Sequence, residues 1–288
     1  MQATSITLET MGYSQTFNMS SPAQDDPYII TSITGLSNAD VNVNLQKTLY
    51  NGSMHMGSRA DEREIVIEAR LNPSYASGQT PADLRDNLYR HLIPEGMNRN
   101  VYTKISIAVD DGKTLIANAR LSHIESVLYT KQPAVQLTFK CNSPYLGVTK
   151  WVRYTQSITT ARVDFDIVNP GAPVGFSMFI NNLKTSPDAI YISNDTTSQH
   201  CNVTGLTSMT STDSKFTVEF VTTQGNRMLS RTAYNSYAGT KQPLYRYMGS
   251  DEEYIMLASG SNHISVQSPS FTNGGFLSFQ FSPRYWGV

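Results

Sequence analysis

The chain has 288 residues, 39% of them hydrophobic and 10% aromatic, which supplies a packed core and excludes wholesale disorder. Its 22 basic and 23 acidic side chains leave a net charge of −1, without the basic excess that marks nucleic-acid binders. Two cysteines, Cys141 and Cys201, are too few for a disulfide framework and read as small buried hydrophobes. No apolar run approaches the ~20 residues that span a bilayer, so no membrane insertion is expected.

The opening MQATSITLETMGYSQTF has neither a basic leader nor an apolar core, so synthesis in a cytoplasm without a signal peptide is expected. From there the texture is β: short runs alternate apolar and polar residues between Gly, Pro, Asn and Asp. YIITSITGL (Tyr28–Leu36) and ADVNVNLQ (Ala39–Gln46) read as strands. Lys47–Arg59, KTLYNGSMHMGSR, shows neither strand nor helix period, yet it carries Leu49, Tyr50, Met54 and Met56. A loop with that much apolar surface is core-packed or part of an interface. REIVIEARL (Arg63–Leu71) reads as a strand with Ile65 and Ile67 on one face.

TPADLRDNLYRHLIP (Thr80–Pro94) differs. Thr80 is a natural N-cap, Pro81 suits the first helical position, and Asp83 sits where it stabilises free amides. Leu84, Leu88 and Leu92 recur at helical spacing, and Pro94 stops the pattern. The expectation is one short helix covering a sheet through these leucines, with His91 at the end that favours a cation.

KISIAVDDGKTLIANARL reads as a hairpin turning at Asp111-Gly112, which is a better account of the paired acids Asp110 and Asp111 than catalysis. HIESVLYTKQPAVQLTFKC gives two more strands around Lys131-Gln132-Pro133. Near Pro144–Gly147 the organisation changes, and a boundary is placed near residue 150: an α+β domain over 1–150 and an all-β domain over 151–288. TKWVRYTQS (149–157) reads as a short linker of inflexible composition. Beyond it, ARVDFDIVNPGAP, GFSMFINN, DAIYISN, KFTVEFVT, EYIMLASG, HISVQS and FLSFQFS are evenly spaced short strands, the pattern of a sandwich or barrel. In FLSFQF the apolar face Leu277, Phe279, Phe281 is expected to point into the core, with Pro283 ending the ladder.

Catalytic signatures are absent. There is no H-E-x-x-H, G-x-S-x-G, phosphate-binding loop or C-x-x-C, and His55, His91, His123, His200 and His263 show no metal-ligand spacing. The acidic stretches ADERE (Ala60–Glu64) and DEE (Asp251–Glu253) read as solvated turns before strands. No catalytic, cofactor or metal residue is assigned, and a structural or binding role is favoured over an enzyme.

In order, Pro27–Leu71, the helix with Leu84-Arg85, Leu88, Leu92 and Pro94, VQLTFKC, SPYL (Ser143–Leu146), NPG (Asn169–Gly171) and the closing SPRYWGV resemble the distal tail (Dit) proteins of siphophage tail tips. The resemblance covers nearly the whole chain and lies in the order of the motifs. It implies a mainly β fold: a split-barrel-like N-terminal sheet with one short helix, then a galectin-like β-sandwich. It also implies a homo-hexameric ring in the virion. This ring would join the tail-tube protein to a tail-associated baseplate hub protein and carry fibre or receptor-binding proteins. DNA would pass through the lumen without sequence-specific binding, and no cofactor is implied. On this reading the N-terminal sheet is flat, with edges open to pairing, and Leu49, Tyr50, Met54 and Met56 form a belt reaching the neighbouring copy.

The apolar ending raises its own expectation: Tyr285 and Trp286 pack at the domain junction around Trp151 and Tyr154. The alternatives are a receptor- or carbohydrate-binding module, using Tyr234, Tyr237, Tyr245, Tyr247 and Tyr254 as sugar platforms, and, far behind it, a glycan hydrolase with unrecognised carboxylates.

Overall fold

The computed structural model describes residues 2–10, 12–19, 26–37, 39–47, 53–74, 78–93, 102–183, 188–205, 215–223, 226–235, 238–244, 247–248, 254–269, 271 and 275–288. The chain is mainly β and divides into two units, Met1–Thr149 together with Tyr285–Val288, and Lys150–Arg284.

The first unit contains β1 (Ala3–Thr10), β2 (Tyr13–Asn18), β3 (Tyr28–Thr34), β4 (Val41–Lys47), β5 (Ser53–Ala60), β6 (Glu64–Leu71), α1 (Pro81–Leu92), β7 (Thr103–Val109), β8 (Thr114–Val127), β9 (Ala134–Cys141) and β10 (Leu146–Val148). The main path of the large antiparallel sheet runs β2-β1-β7-β8-β9-β6-β3, with β10 on β8. Its inner face is the alternate set that the sequence pattern marks, including Ile65, Ile67, Ile105, Ile107, Leu115, Leu137 and Phe139, all fully buried. The sheet is curled, not flat. Its edge strands β2 and β3 share no ladder, and the rings of Phe17 on β2 and Tyr28 on β3 lie 5.7 Å apart. The twist of antiparallel strands accumulates across the sheet, and burying one face favours closure.

Helix α1 forms as its sequence dictates. Thr80 and Asp83 make a reciprocal capping box, Pro81 opens the first turn, and Leu84, Leu88 and Leu92 are buried. Strand β8 spans 14 residues and serves both the Asp111-Gly112 hairpin and the pairing with β9, where two separate strands were expected. A register shift between Leu121 and His123 lets it do so.

The second unit contains β11 (Val152–Ser157), β12 (Arg162–Asn169), β13 (Ser177–Leu183), β14 (Ile190–Asn194), β15 (Gln199–Val203), β16 (Lys215–Thr223), β17 (Asn226–Asn235), β18 (Ala238–Pro243), β19 (Gly260–Gln267) and β20 (Phe276–Phe281). One sheet runs β11-β20-β13-β16-β17-β18 and the other β12-β19-β14-β15. They enclose one core, in which Phe165 of the second sheet lies 6.3 Å from Phe279 of the first. Leu277, Phe279 and Phe281 are buried on β20 as their alternation requires.

Two expectations change here. The stretch read as a linker is mostly strand, because β11 pairs with β20 from Val152↔Phe281 to Ser157↔Phe276. EYIMLASG is not a regular strand: in its described part Leu257 makes an isolated bridge to Val174, and otherwise only Gly260, the first residue of β19, joins a ladder, opposite Asn169. Asparagine side chains take over the backbone hydrogen bonds that a ladder would have satisfied. Asn194 Nδ2 donates to Met256 O, and Asn262 accepts from Ala258 N and donates back to Ala258 O.

Candidate assembly surface

Strands β4 and β5 form a two-stranded sheet of their own, off the large sheet. The expectation of a loop over Lys47–Arg59 is corrected by this pairing: Ser53–Arg59 lies within β5, and Met54 and Met56 fall at alternate positions. The register shifts where Asn44 pairs with Gly57 and Leu45 with His55, leaving Met56 as the extra residue of a bulge. Leu49 and Tyr50 lie outside the described residues, and the side chains of Met54 and Met56 are likewise outside the description.

On β4 every residue from Val41 to Gln46 is exposed. Val41, Val43 and Leu45, at 51%, 49% and 56% exposure, line one face as a row of apolar side chains open to water. An isolated two-stranded hairpin is marginal at best in water. Covering each of these side chains fully would contribute about 1.5–3 kcal/mol. A row of this kind is a candidate interface.

The hairpin foot is tightly held. Asp61 N donates to Asp40 O at 2.8 Å, closing the base. Two residues on, Arg63 is buried at the start of β6. Its Nε and Nη2 donate to Pro144 O at 3.0 and 2.9 Å, its Nη1 to Ser37 O at 2.6 Å and to Gly35 O, and its Nη2 also to Trp286 O. Backbone carbonyls thus surround the guanidinium. Burial lowers its affinity for the proton, but a guanidinium stays charged. Burial likewise pushes the neighbouring Cys141 thiol up to about 11, so this cysteine is inert. An open depression of about 540 Å³, lined by Arg59, Ala60, Asp61, Glu62, Asn142 and Pro144, lies beside the foot and holds no nucleophile paired with a base.

Of the residues expected at a domain junction, Tyr285 and Trp286 belong to the first unit, and Trp151 and Tyr154 to the second. Tyr285 is buried in the first unit's core, and the Trp286 ring lies 4.5 Å from Tyr145. Trp151 is 44% exposed, and Tyr154 packs against the sandwich core. Tyr247 and Tyr254 also pack against that core, Tyr237 and Tyr245 lie outside the described residues, and the Tyr234 side chain is outside the description. Among the described residues no cluster of His, Cys, Asp and Glu could hold a metal ion. Sequence reasoning missed Arg63, Gly35, Pro144 and Gly287. A cation beside acidic residues at the head of a strand looks solvated, and nothing local announces that it is buried.

The fold is that of the Dit protein of phage SPP1, described as a paradigm of the hub adsorption apparatus in phages infecting Gram-positive bacteria. The two share 13% identity over 97% of this chain and 99% of that one, with a TM-score of 0.61. A chain of the phage P2 baseplate, in its activated conformation with Ca, superposes more loosely, with a TM-score of 0.42 and 7% identity over the whole of both chains. No family model and no curated protein matches the chain.

Proposed function

We propose that this protein is a non-catalytic structural hub of a phage tail tip. Six copies form a ring that joins the tail tube to the baseplate or fibre apparatus and lets DNA pass through its lumen. The observation that carries the reading is the exposed apolar row Val41, Val43, Leu45 on a hairpin outside the large sheet. A heterologous contact that closes by rotation covers such a row once per copy and leaves none over. The fold shared with a phage hub protein supports the same role, and the net charge of −1 suits a conduit better than a grip on DNA. The two-sheet second unit is read as the family's galectin-like sandwich, placed to carry fibre or receptor-binding proteins. Its use as a sugar platform is not favoured, because Tyr247 and Tyr254 face its own core.

The test is the double substitution Val43→Asp and Leu45→Asp in the phage. Both positions are exposed, so the isolated chain should melt as before. The wild-type chain should appear in six copies in a tail-tip reconstruction, and the variant should be missing from particles. Incorporation of the variant at wild-type copy number, or one or two copies of the wild type per tip, overturns the proposal.

A further inference from the structure

We infer that the segment Tyr285–Val288 is the clasp that orients the β4–β5 hairpin, acting through Arg63 as a positioning residue. The clasp itself is independent of the ring; only its use in assembly rests on the function proposed above.

Among the described residues the hairpin shares no ladder with the large sheet, and all of Val41–Gln46 is exposed. Its direction is therefore set at its feet. The entering foot is Gly35–Ser37, whose three successive carbonyls are all claimed. Gly35 O and Ser37 O accept from Arg63, and Leu36 O accepts from Val288 N at 3.0 Å. The foot is thus held by two groups at once, the guanidinium at Gly35 O and Ser37 O and the closing segment at Leu36 O.

Contact there is close enough to exclude a side chain. A Cβ on Gly287 would lie 2.7 Å from the Ser37 carbonyl carbon and 2.8 Å from Leu36 O. The leaving foot is Arg63 itself, which is also held by Pro144 O and Trp286 O. A buried cation ringed by carbonyls depends on each of them, since a lost acceptor leaves charged N–H groups without a partner. The closing segment is anchored independently by Tyr285 in the core and by Trp286 on Tyr145.

The two halves of the clasp are far apart in sequence. Arg63 and Trp286 are 223 positions apart, with the whole second unit between them. A chain interrupted within that unit lacks Tyr285–Val288 and so presents a hairpin without a fixed direction. The clasp makes assembly conditional on a completed second unit.

Two variants of the full chain test this. Val288→Pro removes the amide that bonds Leu36 O and sets a ring carbon in its place, and Gly287→Val forces the segment off the foot. Amide exchange, read by mass spectrometry in the isolated chain, should rise at least about tenfold over residues 36–47, while peptides of α1 and of the second unit stay as in the wild type. Leu88→Ala, a destabilised control in the same core, should speed exchange in α1 and leave the hairpin protected. Ring formation should fall in the two clasp variants and not in the control. Unchanged exchange over 36–47 in both variants overturns the clasp, whatever happens to rings. Faster exchange with rings forming as before overturns its role in assembly. Faster exchange in a chain whose wild type never forms rings supports the clasp and counts against the ring.

Discussion

Asn194 donates its side-chain amide to Asn262 Oδ1 at 3.0 Å, and both residues are completely buried. Asn262 also accepts from Ala258 N and donates to Ala258 O and Gly260 O, while Asn169, equally buried, donates to Ala258 O and Ala172 O. Three asparagines from β12, β14 and β19 thus replace a strand along one side of the sandwich. Asn262→Ala leaves Ala258 N and Asn194 Nδ2 each short of an acceptor. At roughly 1–3 kcal/mol per buried unsatisfied group, the second unit should lose about 2–6 kcal/mol. Denaturant melting followed by probes in that unit checks it. A loss below about 1 kcal/mol would mean that water replaces the amide.

The helix tests the first unit. Leu88 is fully buried, so Leu88→Ala should cost about 2–5 kcal/mol. Thr80→Ala removes the capping box and should cost about 1 kcal/mol. The Thr80 hydroxyl and amide donate to Asp83 at 2.7 and 2.8 Å and hold its carboxyl below the usual range. The folded pKa therefore lies below the unfolded one. The cap's contribution is present in full above the unfolded value of about 3.9 and is lost as pH falls through the folded value. Thr80→Ala should accordingly destabilise the unit at pH 7 and make little difference at the acid end. An equal effect at both ends would assign Asp83 no part in the cap.

What the sequence disclosed follows from how far each residue's partners lie along the chain. Thr80, Pro81, Asp83 and the three leucines define α1 because a helix is a local object, and Leu277, Phe279 and Phe281 define β20 by alternation alone. The two-domain organisation left a change of texture near residue 150, but the return of Tyr285–Val288 to the first unit left none. The sheet's curl brings Phe17 to Tyr28 across strands that pair elsewhere, and no local pattern encodes that meeting. The exposed row was half visible. Val41, Val43 and Leu45 alternate plainly, but alternation marks a strand with an apolar face without telling whether that face is covered. Arg63 was illegible because its acceptors are carbonyls at positions 35, 37, 144 and 286, and a carbonyl has no letter in a sequence.

On the second unit, His263 Nδ1 lies 2.9 Å from Asp166, and Nε2 lies 3.7 and 3.9 Å from Asp164 and Asp195. The hydrogen bond to Asp166, more than the charges around it, raises the affinity of the imidazole for its proton. Because the folded pKa exceeds the ordinary value of about 6.5, the stabilisation is complete below that value and is lost as pH rises through the folded pKa. Titration of the ring by NMR should show a midpoint above the ordinary value in the wild type. In Asp166→Asn it should move back towards that value. A midpoint unmoved by Asp166→Asn would assign the effect to Asp164 and Asp195.

Gly12 and Gly35 separate backbone strain from close packing. Both have left-handed φ, +79° and +82°, so alanine at either carries the same backbone cost of roughly 1–2 kcal/mol. Their surroundings differ. A Cβ on Gly12 meets nothing within 4 Å, whereas one on Gly35 would lie 1.7 Å from Glu64 O. No rotation relieves that overlap, because the clashing atom is backbone at the start of β6, next to Arg63. Gly35→Ala must displace either its own carbonyl, which accepts from Arg63, or the head of β6. Gly12→Ala should therefore lower stability by no more than the backbone cost and leave amide exchange at the hairpin foot unchanged. Gly35→Ala should exceed about 4 kcal/mol, the range kept by strain and broken buried networks. It should also release the protection of residues 36–47. If the two variants melt alike, the approach of Gly35 to Glu64 is looser than the geometry states, and the entering foot is not held from that side.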